Sequence, residues 1–205
     1  LSDAHPGPAA GDVDAALLAR LTALGEEGGE IWRRFDREVR RHAFHPFVPA
    51  DYERMLRLLL QLRAPGLRFL EWGSATGVIT IMADLLGFDA CGIELDPELV
   101  EIARGLAERF GSGARFAAGS FIPAGYEWKP RTGDARTGTI GTGVSGYAEL
   151  GRTLDEFDVV YAYPWDGEDP MMHDLLHARG RPGARLVLAG GAEGVRVYRG
   201  ATREL

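Results

Sequence analysis

The stretch Glu71-Trp72-Gly73-Ser74-Ala75-Thr76-Gly77 places an acid just ahead of three small residues at alternate positions. Such residues let a backbone turn sharply and approach a ligand closely. A helix starting there would also offer unpaired N–H groups. The spacing is not G-x-G-x-x-G, because Val78 stands where the last glycine would fall. It is not a triphosphate loop either, which needs Gly-Lys-Ser/Thr. A second acid, Glu94, closes the next apolar run. A carboxylate at that point can accept both hydroxyls of a ribose. Glu71 would repel a phosphate and suit an ammonium. An adenosine ligand with a cationic amino-acid tail fits both acids.

A second constellation follows the fourth apolar run, at Tyr161-Ala162-Tyr163-Pro164-Trp165-Asp166. Tyr163 and Trp165 can wall in a cation. Asp166, Glu168 and Asp169 add negative potential that favours a basic substrate. Tyr163, Trp165 and Asp166 are the candidates for the reacting end, and none of them is singled out as a base. The competing reading is a helix N-terminus decorated with acids. His173 and His177 stand one helical turn apart in HDLLH. Asp174 replaces the glutamate of a zinc-protease helix and a third ligand is wanting, so a surface helix and no metal are expected.

These residues need elements to hold them. Apolar spacing predicts helices over 12–25, 30–43 and 50–62, with the prolines of FHPFVP breaking the chain between the last two. His45 and Phe47 in that break are further candidates for lining the site. Strands are expected at 67–73, 89–95, 114–120 and 157–164, and helices at 78–87, 96–111 and 169–180. Asp96-Pro97 is a strong helix start and Gly111 a helix stop. Two last strands, 184–191 and 194–200, are too close in sequence for anything but an antiparallel hairpin. The expected fold is α/β: a Rossmann-like three-layer sandwich, its sheet mostly parallel with an antiparallel edge hairpin, behind an N-terminal helical cap. The compressed hairpin suggests a sheet one strand short of the usual number. The expected divisions are a loose arm at 1–11, the cap at 12–64 and the sheet domain at 65–205. A Gly/Thr-rich insert at about 121–153 reads as a long loop or lid.

The chain has 205 residues, 45% of them hydrophobic and 26% charged, which suits one globular core. A net charge of −7 disfavours nucleic acid as a partner. A single cysteine, Cys91, excludes an internal disulfide and points to a reducing compartment, with the thiol in the core. With no bilayer-length apolar run, the expected location is the cytoplasm.

Taken together, FLEWGSATG, GIELDPELVEIA and AAGSF resemble the class I S-adenosylmethionine-dependent methyltransferases, over roughly Leu67 to Gly200. The resemblance implies S-adenosylmethionine as cofactor. Glu71, Gly73, Ser74 and Gly77 would line its methionine end, and Trp72 and Ala75 would belong to the same cofactor-binding set. Glu94 would hold the ribose, and Leu95, Ser120 and Phe121 would lie toward the adenine, with Tyr163 closing the set. Amino-directed members carry Asn/Asp-Pro-Pro-aromatic after the fourth strand. Here Ala162 takes the place of the Asn/Asp and only the Pro-aromatic half matches. The implied activity is methyl transfer to a small molecule or a protein side chain. Two alternatives stand: a non-catalytic binder that kept the pocket, and an NAD-dependent oxidoreductase.

Overall fold

The computed structural model describes residues 13–42, 47–128, 143–165, 167–190 and 194–205. Helix α1 spans Ala15–Phe35 and opens on Asp14, whose carboxylate accepts from Leu17 N at 2.7 Å. It runs unbroken through Gly25, Gly28 and Gly29 into a π-helical turn, Asp36–Arg40, so the two helices expected here are one. Gly25 and Gly28 do not break it because tertiary packing uses them. A Cβ on Gly28 would lie 2.5 Å from Val78 Cγ2 and 3.2 Å from Tyr52 Cε2. Close helix contact there outweighs glycine's poor propensity of about 1 kcal/mol. Helix α2, Tyr52–Leu62, is capped by Asp51 and buries Met55, Leu56 and Leu59.

Among the described residues seven strands form one sheet: β1 Arg68–Trp72, β2 Asp89–Glu94, β3 Arg115–Ala118, β4 Val159–Ala162, β5 Arg185–Ala189, β6 Val195–Arg199 and β7 Thr202–Arg203. Their spatial order is β3-β2-β1-β4-β5-β6-β7. The first five are parallel; β6 and β7 are antiparallel to their neighbours. The compressed end thus still completes seven strands, because Gly200, at φ 60°, turns the chain straight from β6 into the two-residue β7.

Side chains alternate across the sheet. Phe69, Val159 and Tyr161 pack on one face with α1, α2, α3 (Val78–Leu85) and α4 (Pro97–Arg109). Leu70, Trp72, Val160 and Ala162 pack on the other with α5 (Tyr147–Leu150) and α6 (Asp169–Arg179). Cys91 is buried in this second core.

Within the insert expected as a loop, the described parts carry short structure. Ser120 N donates to Val144 O at 2.8 Å, Gly146 N donates to Ser120 O at 2.9 Å, and α5 buries Tyr147 and Leu150. A four-residue helix is too short to show periodicity. Residues 129–142 and 1–12, the expected arm at 1–11 among them, lie outside the described residues. Among the described residues no helix is long and apolar enough to cross a membrane.

Candidate functional site

Strands β1 and β4 are neighbours, yet the chain leaves them toward opposite sides of the sheet. That switch point opens a crevice beyond the strand ends. A cavity of about 340 Å³ lies there, lined by residues from the ends of β1, β2 and β4 and from the loops after them.

Its floor is the glycine turn. Gly73 N and Ser74 N both donate to Ile93 O, at 2.9 and 3.0 Å, which ties the turn to β2. Gly73 and Gly77 sit at φ 72° and 73°, and Ala75 at φ 46° is the one non-glycine residue at positive φ among the described residues. Glu94 holds Ala75 there. Its Oε2 accepts from Ala75 N at 2.8 Å and its Oε1 from Asp96 N at 3.0 Å. Burial pushes the Glu94 carboxyl above its ordinary range, and the amides of Asp96, Ala75 and Leu95 pull it back.

One wall is aromatic. Trp72 stacks on Phe121 with centroids 5.2 Å apart, and its Nε1 donates to Tyr147 Oη at 2.9 Å. The opposite side brings Tyr163, 37% exposed, together with Trp165 and Glu168. The Tyr163 ring lies over Gly190, where a Cβ would come within 3.1 Å of it. Glu168 is 3% exposed. It starts α6 without a side-chain cap bond, and its Oε2 instead accepts from Trp165 N at 2.9 Å. Phe47 closes the rim, held edge-on against Phe35 at 5.3 Å.

Of the residues expected at the site, Trp72, Gly73, Ala75, Glu94, Leu95, Phe121, Tyr163 and Trp165 line this cavity. Glu71, Ser74, Gly77 and Ser120 do not. Alternation turns Glu71 to the α3 face, where it is 5% exposed. There its Oε2 accepts from Thr80 N at 2.9 Å and Thr80 Oγ1 at 2.5 Å. Burial pushes its carboxyl up to about 8, against the pull of Thr80. Ser74 is buried against Gly92, whose missing Cβ would lie 2.7 Å from it. Gly77 serves packing, since a Cβ there would meet Phe116 at 2.5 Å and Ala103 at 2.9 Å. Ser120 Oγ accepts from Ile122 N at 3.0 Å. Asp166 and His45 lie outside the described residues. His173 packs edge-on against Tyr198 at 4.5 Å.

Several lining residues escaped the sequence reading, among them Val48, Gly119 and Met172. None carries a motif. Glu168 counted there only as one of three acids adding potential; its burial and its hydrogen bond to Trp165 depend on how the loop folds back.

The cavity therefore offers a backbone floor, aromatic walls and the carboxylates of Glu94, Asp96 and Glu168, which suits a flat heteroaromatic group joined to a polar tail.

No family model matches the chain. Over 127 residues it is 35% identical to the ribosomal protein L11 methyltransferase of Ralstonia nicotianae, which covers 62% of this chain and 33% of the relative. The protein of the same name from Thermus thermophilus is 37% identical over 69 residues, 34% of this chain and 27% of the relative. The chain thus spans about a third of the length of the relatives it matches. An RNA methyltransferase from Salinibacter ruber, solved with S-adenosyl-L-homocysteine, superposes with a TM-score of 0.51 at 22% identity, covering 74% of this chain and 92% of that one. A precorrin-6y C5,15-methyltransferase from Geobacter metallireducens gives 0.50 at 17% identity, covering 74% and 69%. At these identities the structures speak for the fold alone.

Proposed function

We propose that this chain, which has the fold of the class I S-adenosylmethionine-dependent methyltransferases, binds S-adenosylmethionine in the cavity beside β1, β2 and β4 and passes its methyl group to a protein side chain. The observation that carries the reading is the glycine turn braced by Glu94. Among the described residues a Cβ on Gly73 would meet no atom within 4 Å although the residue lines the cavity, so its missing side chain leaves space for a ligand. The acid that shapes the turn also faces that space.

When bound, S-adenosylmethionine supplies a methyl group already activated on a sulfonium, so alignment does most of the work. The residues divide that task. Gly73 and Ala75 bring backbone close to the ligand. Glu94 keeps lone pairs on both oxygens beyond its two amide bonds, and these can accept ribose hydroxyls. The Trp72–Phe121 pair and Leu95 form an apolar flank for the base. Tyr163 and Trp165 exclude water on the acceptor side and present ring faces to a cation. Glu168, beside them, favours an acceptor that arrives as an ammonium, which gives a proton to solvent before its nitrogen takes the methyl. Glu71 acts through the turn: it anchors the first residues of α3 from beneath.

The name that the relatives carry, ribosomal protein L11 methyltransferase, supports a protein as the acceptor. The first test is calorimetric titration with S-adenosylhomocysteine, with NAD in parallel. Binding of the first alone, in the micromolar range, supports the reading. Binding of NAD alone turns the chain into an oxidoreductase candidate, and binding of neither removes the cofactor site. Transfer of labelled methyl to isolated ribosomal protein L11 then tests the acceptor.

A further inference from the structure

A second and larger hollow, of about 870 Å³, runs between α1 with its π-helical turn and α4. Its floor is apolar: Ile31, Phe35, Val39, Leu99 and Ile102. Val39 and Ile102 are 39% and 38% exposed, high for residues of their size. Its rims carry seven carboxylates against two guanidiniums. Glu27 and Glu101 are paired with Arg109 and Arg104. Glu26, Glu30, Glu38 and Glu98 make no ion pair or side-chain hydrogen bond among the described residues. Glu26 and Glu30 stand one helical turn apart, where like charges oppose helix formation. Folding gains nothing from that arrangement.

Gly105 is an independent sign of use. It sits inside α4, on the groove floor, where glycine is less favourable than alanine. Among the described residues a Cβ there would meet only Arg109 Nη1, at 3.6 Å, so no close packing among them demands glycine. The groove also leads to the cofactor cavity, because Asp96 and Leu99 line both.

We infer that this groove seats a lysine- and arginine-rich amphipathic segment of the protein that accepts the methyl group, its apolar side on Ile31, Val39 and Ile102 and its cations on the unpaired glutamates. The inference rests on the proposed methyl transfer and names its substrate class. The charge selects the occupant. A polyanion is repelled, a second copy of this chain brings a net charge of −7, and the chain's own residues 1–12 contain neither lysine nor arginine.

The test uses a synthetic helical peptide with leucine at i, i+3 and i+4 spacing and lysine elsewhere, followed by fluorescence anisotropy at low salt. Three proteins are compared: wild type, Glu30→Lys/Glu98→Lys in the groove, and Glu53→Lys/Glu108→Lys outside it, which changes the net charge equally. The expected result is saturable binding to wild type, at least about ten-fold weaker in the groove variant and nearly unchanged in the control. No binding to wild type, or equal loss in both variants, overturns the groove. S-adenosylhomocysteine titration of the same proteins checks the fold and separates the two readings. Retained cofactor binding with no effect of the groove charges sinks the groove alone. Groove-dependent peptide binding without cofactor binding sinks methyl transfer, and with it the occupant's role as acceptor.

Discussion

Glu94 Oε2 accepts the backbone N–H of Ala75 at 2.8 Å, so the acid at the end of β2 holds the strained residue of the turn after β1. The same carboxylate faces the cavity. One side chain thereby shapes the cradle and offers itself to what lies in it.

Glu94→Ala removes both functions. The amides of Ala75 and Asp96 lose a charged acceptor, and stability should fall by about 1–3 kcal/mol. S-adenosylhomocysteine affinity should fall as well, by about ten-fold or more. Urea unfolding and calorimetry on one preparation measure both. A variant as stable as wild type would show that the Ala75 bond contributes nothing.

Ala75→Gly should raise stability. Alanine at φ 46° carries left-handed strain that glycine does not. Relief of about 1–2 kcal/mol, less the entropy glycine adds to the unfolded chain, leaves a gain of about 0.5–1 kcal/mol. A lower melting temperature would mean that the turn depends on the alanine methyl.

Gly73→Ala and Gly77→Ala should part company. Both residues sit at positive φ, so both variants carry backbone strain. Only at Gly77 does the new Cβ also meet Phe116 and Ala103. Gly77→Ala should cost well over about 2 kcal/mol, and Gly73→Ala about 1 kcal/mol. Gly73→Ala should instead weaken S-adenosylhomocysteine binding, because its methyl points into the cavity. Equal stability losses would erase the distinction between cradle and packing glycine.

Burial raises the Glu71 carboxyl from its ordinary 4.5 to about 8. Between those values the folded protein keeps a proton that the unfolded chain releases. Stability should therefore fall as pH rises through this window, by up to about 1.4 kcal/mol per pH unit. Glu71→Gln keeps an acceptor for Thr80 and should flatten that slope. Urea unfolding at about pH 5 and about pH 8 tests it. A slope unchanged in the variant would assign the effect to another group.

What the amino-acid order determined by itself was whatever is local and repeated. Parallel strands buried on both faces, Asp96-Pro97 starting a helix, and two last strands with no room for a crossover are each specified by nearest-neighbour chemistry. The glycine turn and Glu94 were legible for the same reason, since their types and spacing along one strand–turn–helix unit carry the meaning. Tertiary structure decided what depends on partners far along the chain. Gly25, Gly28 and Gly29 read as a helix break, yet they lie in one helix, where Met82 and Tyr52 approach Gly25, and Val78 and Tyr52 approach Gly28. Glu71 and Glu94 both read as cavity acids. Strand alternation and the position of Thr80 bury one beneath α3, while the end of β2 leaves the other at the cavity. Ser120 read as a ligand contact, and its backbone bridge to Ser145 showed only in the fold. Glu168 and the glutamates of the α1–α4 groove became particular only when folding set apart the acids that have partners from those that have none. Pairing is a property of distance in space, and a sequence records only distance along the chain.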